Sequence, residues 1–478
     1  MSLPDSAHWL SALDVGRAIG RGEFSSSEMT QAMLERIDEV DPLYRPYTLV
    51  LAERALAQAQ KRDEELAAGN SRGPLHGVPI GIKDLCDIAG EPTYAGTQFL
   101  GTLGRASETS CVVERLEAAG AVILGKLKLT EGAFTSHHPS VEPPINPWCR
   151  ERWTGISSSG SGVATAAGLA FATLGSDTGG SIRLPSASCG LTGLKPTHGR
   201  VPLHGVFPLS SSLDHVGPMT RNVADCAAVF EVIAGGDGRD SQSLWPTTSS
   251  KRSTPIDTRS IVATGVRIGV DREALEVGDE KMAGLVIATL DVFRERGAEI
   301  VEIDLPDVSA IAGAWPIICA ADVANAHAAT FPSRADEYGP DLRGLLETGN
   351  AVSGRVLAHA NAVRDAYAIA FDRLFDDVSA VLTPVIPIPL AANTNIGGSD
   401  LSPEQGLLVM RFNLPVDMAR TPSLTMPCGF TDDGAPVGFQ IVARRLHETR
   451  LLDLGAVYQS TTDWHEKHPQ MSVDGAKT

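Results

Sequence analysis

Two segments of this chain concentrate hydroxyl groups and glycines in a pattern suited to acyl chemistry. One is Gly155-Ile156-Ser157-Ser158-Ser159-Gly160-Ser161-Gly162, and the other is Asp177-Thr178-Gly179-Gly180-Ser181-Ile182-Arg183. In the second, Thr178, Gly179, Gly180 and Ser181 offer consecutive backbone N–H groups in a turn that glycine permits, a nest able to hold a developing oxyanion. Ser181 closes the nest, where its hydroxyl could attack a carbonyl carbon. A serine hydroxyl is a weak nucleophile and needs a base. Lys83 offers one. It ends the apolar run 78–83, and a lysine held in a dry, polar-lined pocket sheds its proton near neutral pH. Asp84 follows directly, but neighbouring side chains on a strand point to opposite faces, so Asp84 need not neutralise it. Each feature also has a plainer reading: a loop for either Gly/Ser segment, a solvated strand-end charge for Lys83. Against the loop reading, linkers do not normally border an apolar stretch such as 163–174, and glycines there imply a backbone brought close to something.

Other chemistries fit less well. Neither serine lies in a G-x-S-x-G elbow. Residues 120–127, Gly-Ala-Val-Ile-Leu-Gly-Lys-Leu, come near a phosphate-binding loop. Leu127, however, replaces the hydroxyl residue that holds magnesium, and the intervening residues read as an apolar strand, so ATP is not expected. The adjacent pair His137-His138 belongs to no H-E-x-x-H motif, and neighbours rarely face one metal; the pair could line a pocket or make structural hydrogen bonds. The seven cysteines are scattered and form no C-x-x-C pair, the usage of inert thiols in a reducing compartment. No metal and no cofactor are expected.

Taken together, Gly81-Ile82-Lys83-Asp84, the Ser157/Ser158 pair and Asp177–Arg183 resemble the amidase signature family. The separations from Lys83 to Ser157 and from Ser157 to Ser181 match that family's spacing. The similarity continues through Gly193-Leu194-Lys195-Pro196-Thr197-His198-Gly199-Arg200 and returns at Pro427-Cys428-Gly429-Phe430 and Pro436-Val437-Gly438-Phe439-Gln440, covering roughly residues 10–468. The resemblance implies Ser181 as the acylated nucleophile. It implies Ser157, on a cis peptide, as the proton shuttle and Lys83 as the base. The N–H groups of residues 178–181 become the oxyanion hole, with Asp177, Arg183 and Ser158 in support. Asp214-His215 could suggest a Ser–His–Asp triad, but the resemblance gives that stretch no base. Ile156 and Ser159 depart from the family pattern, which has glycine at both positions.

These residues must be positioned by a framework, and the pattern around them alternates strands and helices. A capping box at Ser25-x-x-Glu28, with Phe24 and Met29 as a hydrophobic staple, opens a helix whose Met29, Met33, Ile37 and Val40 share a face. A second helix over 51–68 closes at Gly69. Strands are predicted at 77–83, 121–124, 266–270, 299–303, 378–383 and 437–443, and a short helix at 110–119. The expected fold is an α/β/α sandwich around a large, mixed, mostly buried sheet. It is expected as one domain over 8–470, with N-terminal helices at 8–68 and an exposed excursion near 241–260, which is rich in Ser, Thr and Pro.

A net charge of −18 disfavours nucleic-acid and anionic-membrane partners, which attract clustered Lys and Arg. The uncharged stretch 153–176 is long enough to cross a bilayer, but thirteen of its 24 residues are Ser, Thr or Gly, too polar for a lipid-facing helix. The opening residues show no signal peptide, and a cytoplasmic location is expected. The expected partner is a small amide or carbamate, with a homodimer compatible with the sequence. Two apolar segments, 310–331 and 407–410, are candidates to frame the pocket. If they do, bulky neutral amides such as anilides suit it, and aryl carbamates (urethanes) extend the range. The alternatives are a glutamine-hydrolysing subunit of a tRNA amidotransferase, an ester-selective hydrolase, and a catalytically dead binding scaffold.

Overall fold

In the computed structural model, residues 3–4, 6–244 and 262–471 are described. Of the expected excursion at 241–260, only residues 241–244 fall among them. The N-terminal helices form as the local signals require. Ser25 Oγ accepts the Glu28 N–H and the Glu28 carboxylate accepts the Ser25 N–H, closing the capping box of helix Ser26–Tyr44. Met29, Met33, Ile37 and Val40 are buried on its inner face. Helix Ala52–Ala67 follows, and Gly69 takes a left-handed φ of 80° just beyond its end.

Among the described residues, eleven strands form one sheet. They are β1 (Tyr47–Val50), β2 (Pro79–Lys83), β3 (Val122–Leu127), β4 (Ala172–Asp177), β5 (Thr192–Lys195), β6 (His215–Thr220), β7 (Arg267–Val270), β8 (Glu299–Glu302), β9 (Ala380–Pro384), β10 (Ser423–Phe430) and β11 (Pro436–Val442). Their spatial order is β1-β3-β2-β4-β6-β5-β10-β11-β9-β7-β8. The sheet is mixed: β3, β2 and β4 run parallel, as do β9, β7 and β8, and the pairs linking the two groups are antiparallel. Every residue of β2, β3, β4, β5 and β6 is buried, as a sheet with helices on both faces demands.

The parallel run fixes where the chemistry sits. β2 and β4 pair Ile82 with Leu174, so Lys83 and the Ser176-Asp177 end of β4 emerge at the same edge. The carboxyl ends of parallel strands are where open α/β sheets build their sites. Uncharged residues 153–176 lie in this interior, forming the buried helix Ser159–Ala166 and most of β4. One described helix, Ser309–Ala326, is long and apolar enough to cross a membrane by length and composition. Here it packs on helices Pro340–Ala351 and Gly354–Asp372.

Candidate active site

Lys83 is fully buried, and three hydroxyls surround its amine. Nζ lies 2.7 Å from Ser157 Oγ, 2.9 Å from Ser158 Oγ and 2.8 Å from Ser176 Oγ. No carboxylate pairs with it among the described residues. Burial drives its proton affinity from the usual 10.5 to about 7, against the opposing pull of Asp214 and Asp177. Asp84 has its own partner on the other strand face, Lys126 Nζ at 2.8 Å, both side chains almost wholly inaccessible. Alternation along the strand thus sends Asp84 to Lys126 and leaves Lys83 without an ion pair among the described residues.

The three hydroxyls are not equivalent. Ser158 Oγ accepts the Ser176 N–H and donates to the Ser176 carbonyl, both at 3.2 Å. With Lys83 as a further donor, its one proton and two lone pairs are all used. Ser158 thus ties the 157–158 turn to the end of β4 and cannot also carry a proton. Ser157 is not committed in this way, so the lone pair of a neutral Lys83 amine can face its hydroxyl. The Ile156–Ser157 peptide is cis. Ser159 meets His137 Nε2 at 3.1 Å, and burial holds that imidazole neutral, with its pKa lowered to about 3. His138 contacts Ser140. Neither histidine lines the cavity described below, and their contacts are structural.

The 178–182 loop wraps around the Asp177 carboxylate. Oδ1 accepts the Gly180 N–H at 2.6 Å, and Oδ2 accepts the Ile182 N–H at 3.0 Å. Gly180 adopts φ 125°, a conformation that L side chains rarely take. Arg183, fully buried, reaches Asp177 at 3.0 Å and Asp417 at 2.5 Å. Burial alone would raise the Asp177 carboxyl, but Arg183 outweighs it and holds the group at about 2. Two carboxylates share one guanidinium, and burial together with the Asp177 charge pushes Asp417 upward. Asp214 braces the same loop by accepting the Thr178 hydroxyl at 2.5 Å. His215 Nδ1 lies 3.0 Å from the Asp177 carbonyl. These contacts make Asp214 and His215 supports of the loop, and no hydrogen bond joins either to Ser181 among the described residues.

Ser181 opens into a cavity of about 490 Å³, with Thr178 and Gly179 beside it. Its walls include Ile156, Phe134, Trp315, Leu407 and Met410, and no ionisable side chain lines it among the described residues. Both apolar segments singled out in the sequence thus reach it, through Ala312, Trp315 and Pro316 and through Leu407 and Met410. Trp315 also donates its indole N–H to the Thr178 carbonyl at 2.8 Å. A Cβ on Gly179 would lie 2.8 Å from that indole, so the first glycine of the loop is required by a close approach. Sequence reasoning misses Ser176 and Asp417 as site residues, and it misses the bond from Trp315 to the loop. No group of three or more His, Cys, Asp or Glu side chains among the described residues is placed to hold a metal ion.

The family model described as Amidase matches residues 28–452. The putative amidase AmiD of Mycobacterium bovis is 38% identical over 466 residues, covering 97% of each chain. A glutamyl-tRNA(Gln) amidotransferase subunit of Chloroflexus aggregans is 37% identical, covering 97% of this chain and 99% of its own. Among solved structures, 6-aminohexanoate cyclic dimer hydrolase superposes with a TM-score of 0.87 at 25% identity, covering 97% of this chain and 99% of its own.

Proposed function

Because this chain belongs to the amidase signature family, hydrolases of non-peptide C–N bonds, we propose that it is a stand-alone amidase for neutral, hydrophobic amides, acylated on Ser181. One juxtaposition carries the reading: among the described residues, Ser181 opens into a cavity without ionisable walls, while a buried amine that meets three hydroxyls stands ready as base.

In this reading Ser181 Oγ attacks the amide carbon and its proton passes to Ser157 Oγ. Ser157 in turn gives its own proton to neutral Lys83. The oxyanion is held by backbone N–H groups of the loop. Gly180 is excluded from that role while its N–H serves Asp177, which leaves Thr178, Gly179 and Ser181. Collapse breaks the C–N bond. Lys83 returns the proton through Ser157 to the leaving nitrogen, so an amine departs and an acyl-enzyme remains. Water attacks the ester by the same relay, releasing the acid and restoring Ser181. Asp177, Arg183 and Asp417 hold the loop rigid and Ser158 holds the relay in register.

The walls support this substrate class. Aryl amides and anilides fill an apolar cavity without stranding a charge, and aryl carbamates present the same acyl carbon. Glutamine brings an ammonium and a carboxylate that want paired partners, which the cavity lining does not offer. The second reading, a glutamine-hydrolysing component of an amidotransferase, is favoured by the 37% identity to the Chloroflexus protein. Specificity constants of the purified chain for an anilide, an aryl carbamate and glutamine separate the two. The anilide is expected to lead, and a clear preference for glutamine would reverse the assignment.

A further inference from the structure

The sheet brings a second, chemically opposite cavity together. β10 runs antiparallel to both β5 and β11, with Ser423 opposite Lys195 on one side and Val442 on the other. The chain leaving β5, the chain entering β10 and the chain leaving β11 therefore meet at one edge. There Thr197, His198, Arg420, Arg444 and Arg445 line a cavity of about 670 Å³ together with Asp372. It shares no lining residue with the cavity at Ser181.

Three arginines around one cavity stand out in a chain of net charge −18. Among the described residues Asp372 is the one acid in the lining, and Arg444 engages it at 3.4 Å while also holding Asp376 at 2.7 Å. Arg420 and Arg445 have no carboxylate within ion-pair distance among the described residues. Arg420 Nε is buried and has no acceptor. The same is true of His198 Nε2 as a polar atom without a partner, on a ring only 9% exposed. Buried polar groups without partners are costly, the more so when charged. The potential is positive as well as unpaired. Burial and then Arg420, Lys195 and Arg364 lower the His198 pKa to about 3, and burial and then Arg364 lower that of Arg420.

We propose that this cavity is a binding site for a phosphate-class dianion, gripped by Arg420 and Arg445. Two guanidinium groups without a carboxylate partner among the described residues match a double negative charge, and their planar forks match phosphate oxygens. The ring of His198 packs edge-on against His215 at 5.3 Å, so the site backs onto the supports of the nucleophile loop without touching substrate.

The test is a calorimetric titration of the whole protein with inorganic phosphate at constant ionic strength, with sodium acetate as the control. Saturable binding of one phosphate per chain is expected, with no comparable acetate binding. Arg445→Gln, on an exposed residue outside the catalytic machinery, should weaken it about tenfold or more while leaving hydrolysis unchanged. Arg420→Gln should weaken it similarly. If the Arg420 variant fails to fold, Arg445→Gln decides alone. A parallel titration with glycerol phosphate locates the source: tighter binding points to a phosphorylated metabolite, equal binding to free phosphate. Absence of saturable binding, or unchanged affinity in Arg445→Gln, overturns the proposal.

Discussion

Lys83 and Lys126 stand on neighbouring parallel strands, and both are wholly buried. β2 and β3 pair Ile82 with Lys126, so Lys126 shares a strand face with Asp84, and Lys83 points to the other. Lys126 meets the Asp84 carboxylate, the Pro92 carbonyl and the Thr93 hydroxyl. Lys83 meets three serines. The same residue type at the same depth thus has two fates. An acid partner makes one amine half of a buried ion pair, while hydroxyl partners leave the other free to give up its proton at about neutral pH. Partners, more than depth, separate a structural lysine from a base.

The two lysines differ most in their effect on activity. Lys83→Ala is expected to lower kcat on the order of 10² to 10⁴-fold with the fold retained, and Lys83→Arg to give no rescue, since a guanidinium does not deprotonate. Lys126→Ala should do the reverse. It leaves Asp84 buried without its cation, a loss on the order of 3–5 kcal/mol in stability, read by denaturant unfolding, while kcat of the folded fraction changes little. Lys126→Met combined with Asp84→Leu should recover most of that stability. Activity lost with Lys126 and kept without Lys83 would invert the account.

A smaller effect sharpens the contrast. Burial lowers Lys83 from 10.5 to about 7, so between those values the unfolded chain binds the extra proton and stability rises with pH. Below about 7 both states are protonated and the penalty is complete. Lys83→Met removes it, so the stability of the variant relative to the parent is highest below that pH and declines toward 10.5. Melting curves at pH about 6 and about 10 would show it. A difference that does not change with pH would mean that Lys83 is not shifted.

The reach of the sequence follows the same division. Lys83, Ser157 and Ser181 are legible because each lies in a short, unusual string, and β2 and β3 because their residues are apolar almost throughout. The partner of Asp84 is harder to see, although Lys126 lies in plain view inside the string that comes near a phosphate loop. Ser176 is beyond the reach of alternation: by register it shares a face with Leu174 and Ile82, opposite to Lys83, yet at the strand ends its hydroxyl meets the Lys83 amine. Asp417 carries no such signal. It is 234 residues from Arg183, and only the question of what neutralises a buried arginine leads to it. Asp214-His215 is suggestive as a string, yet the pair binds Thr178 and the Asp177 carbonyl instead of the nucleophile. Contacts between distant segments are set by how the sheet is ordered, which local pattern does not encode.

In the proposed mechanism a neutral Lys83 acts through Ser157 on Ser181. This relay is read out by the rate of acylation with a fluorophosphonate probe, followed against pH in the parent and in Lys83→Met, with the labelled residue identified by mass spectrometry. The account predicts labelling at Ser181, a parent rate that climbs through a pH of about 7, and a slow rate without that step in the variant. Labelling at another serine, or the same pH step surviving in Lys83→Met, would contradict it.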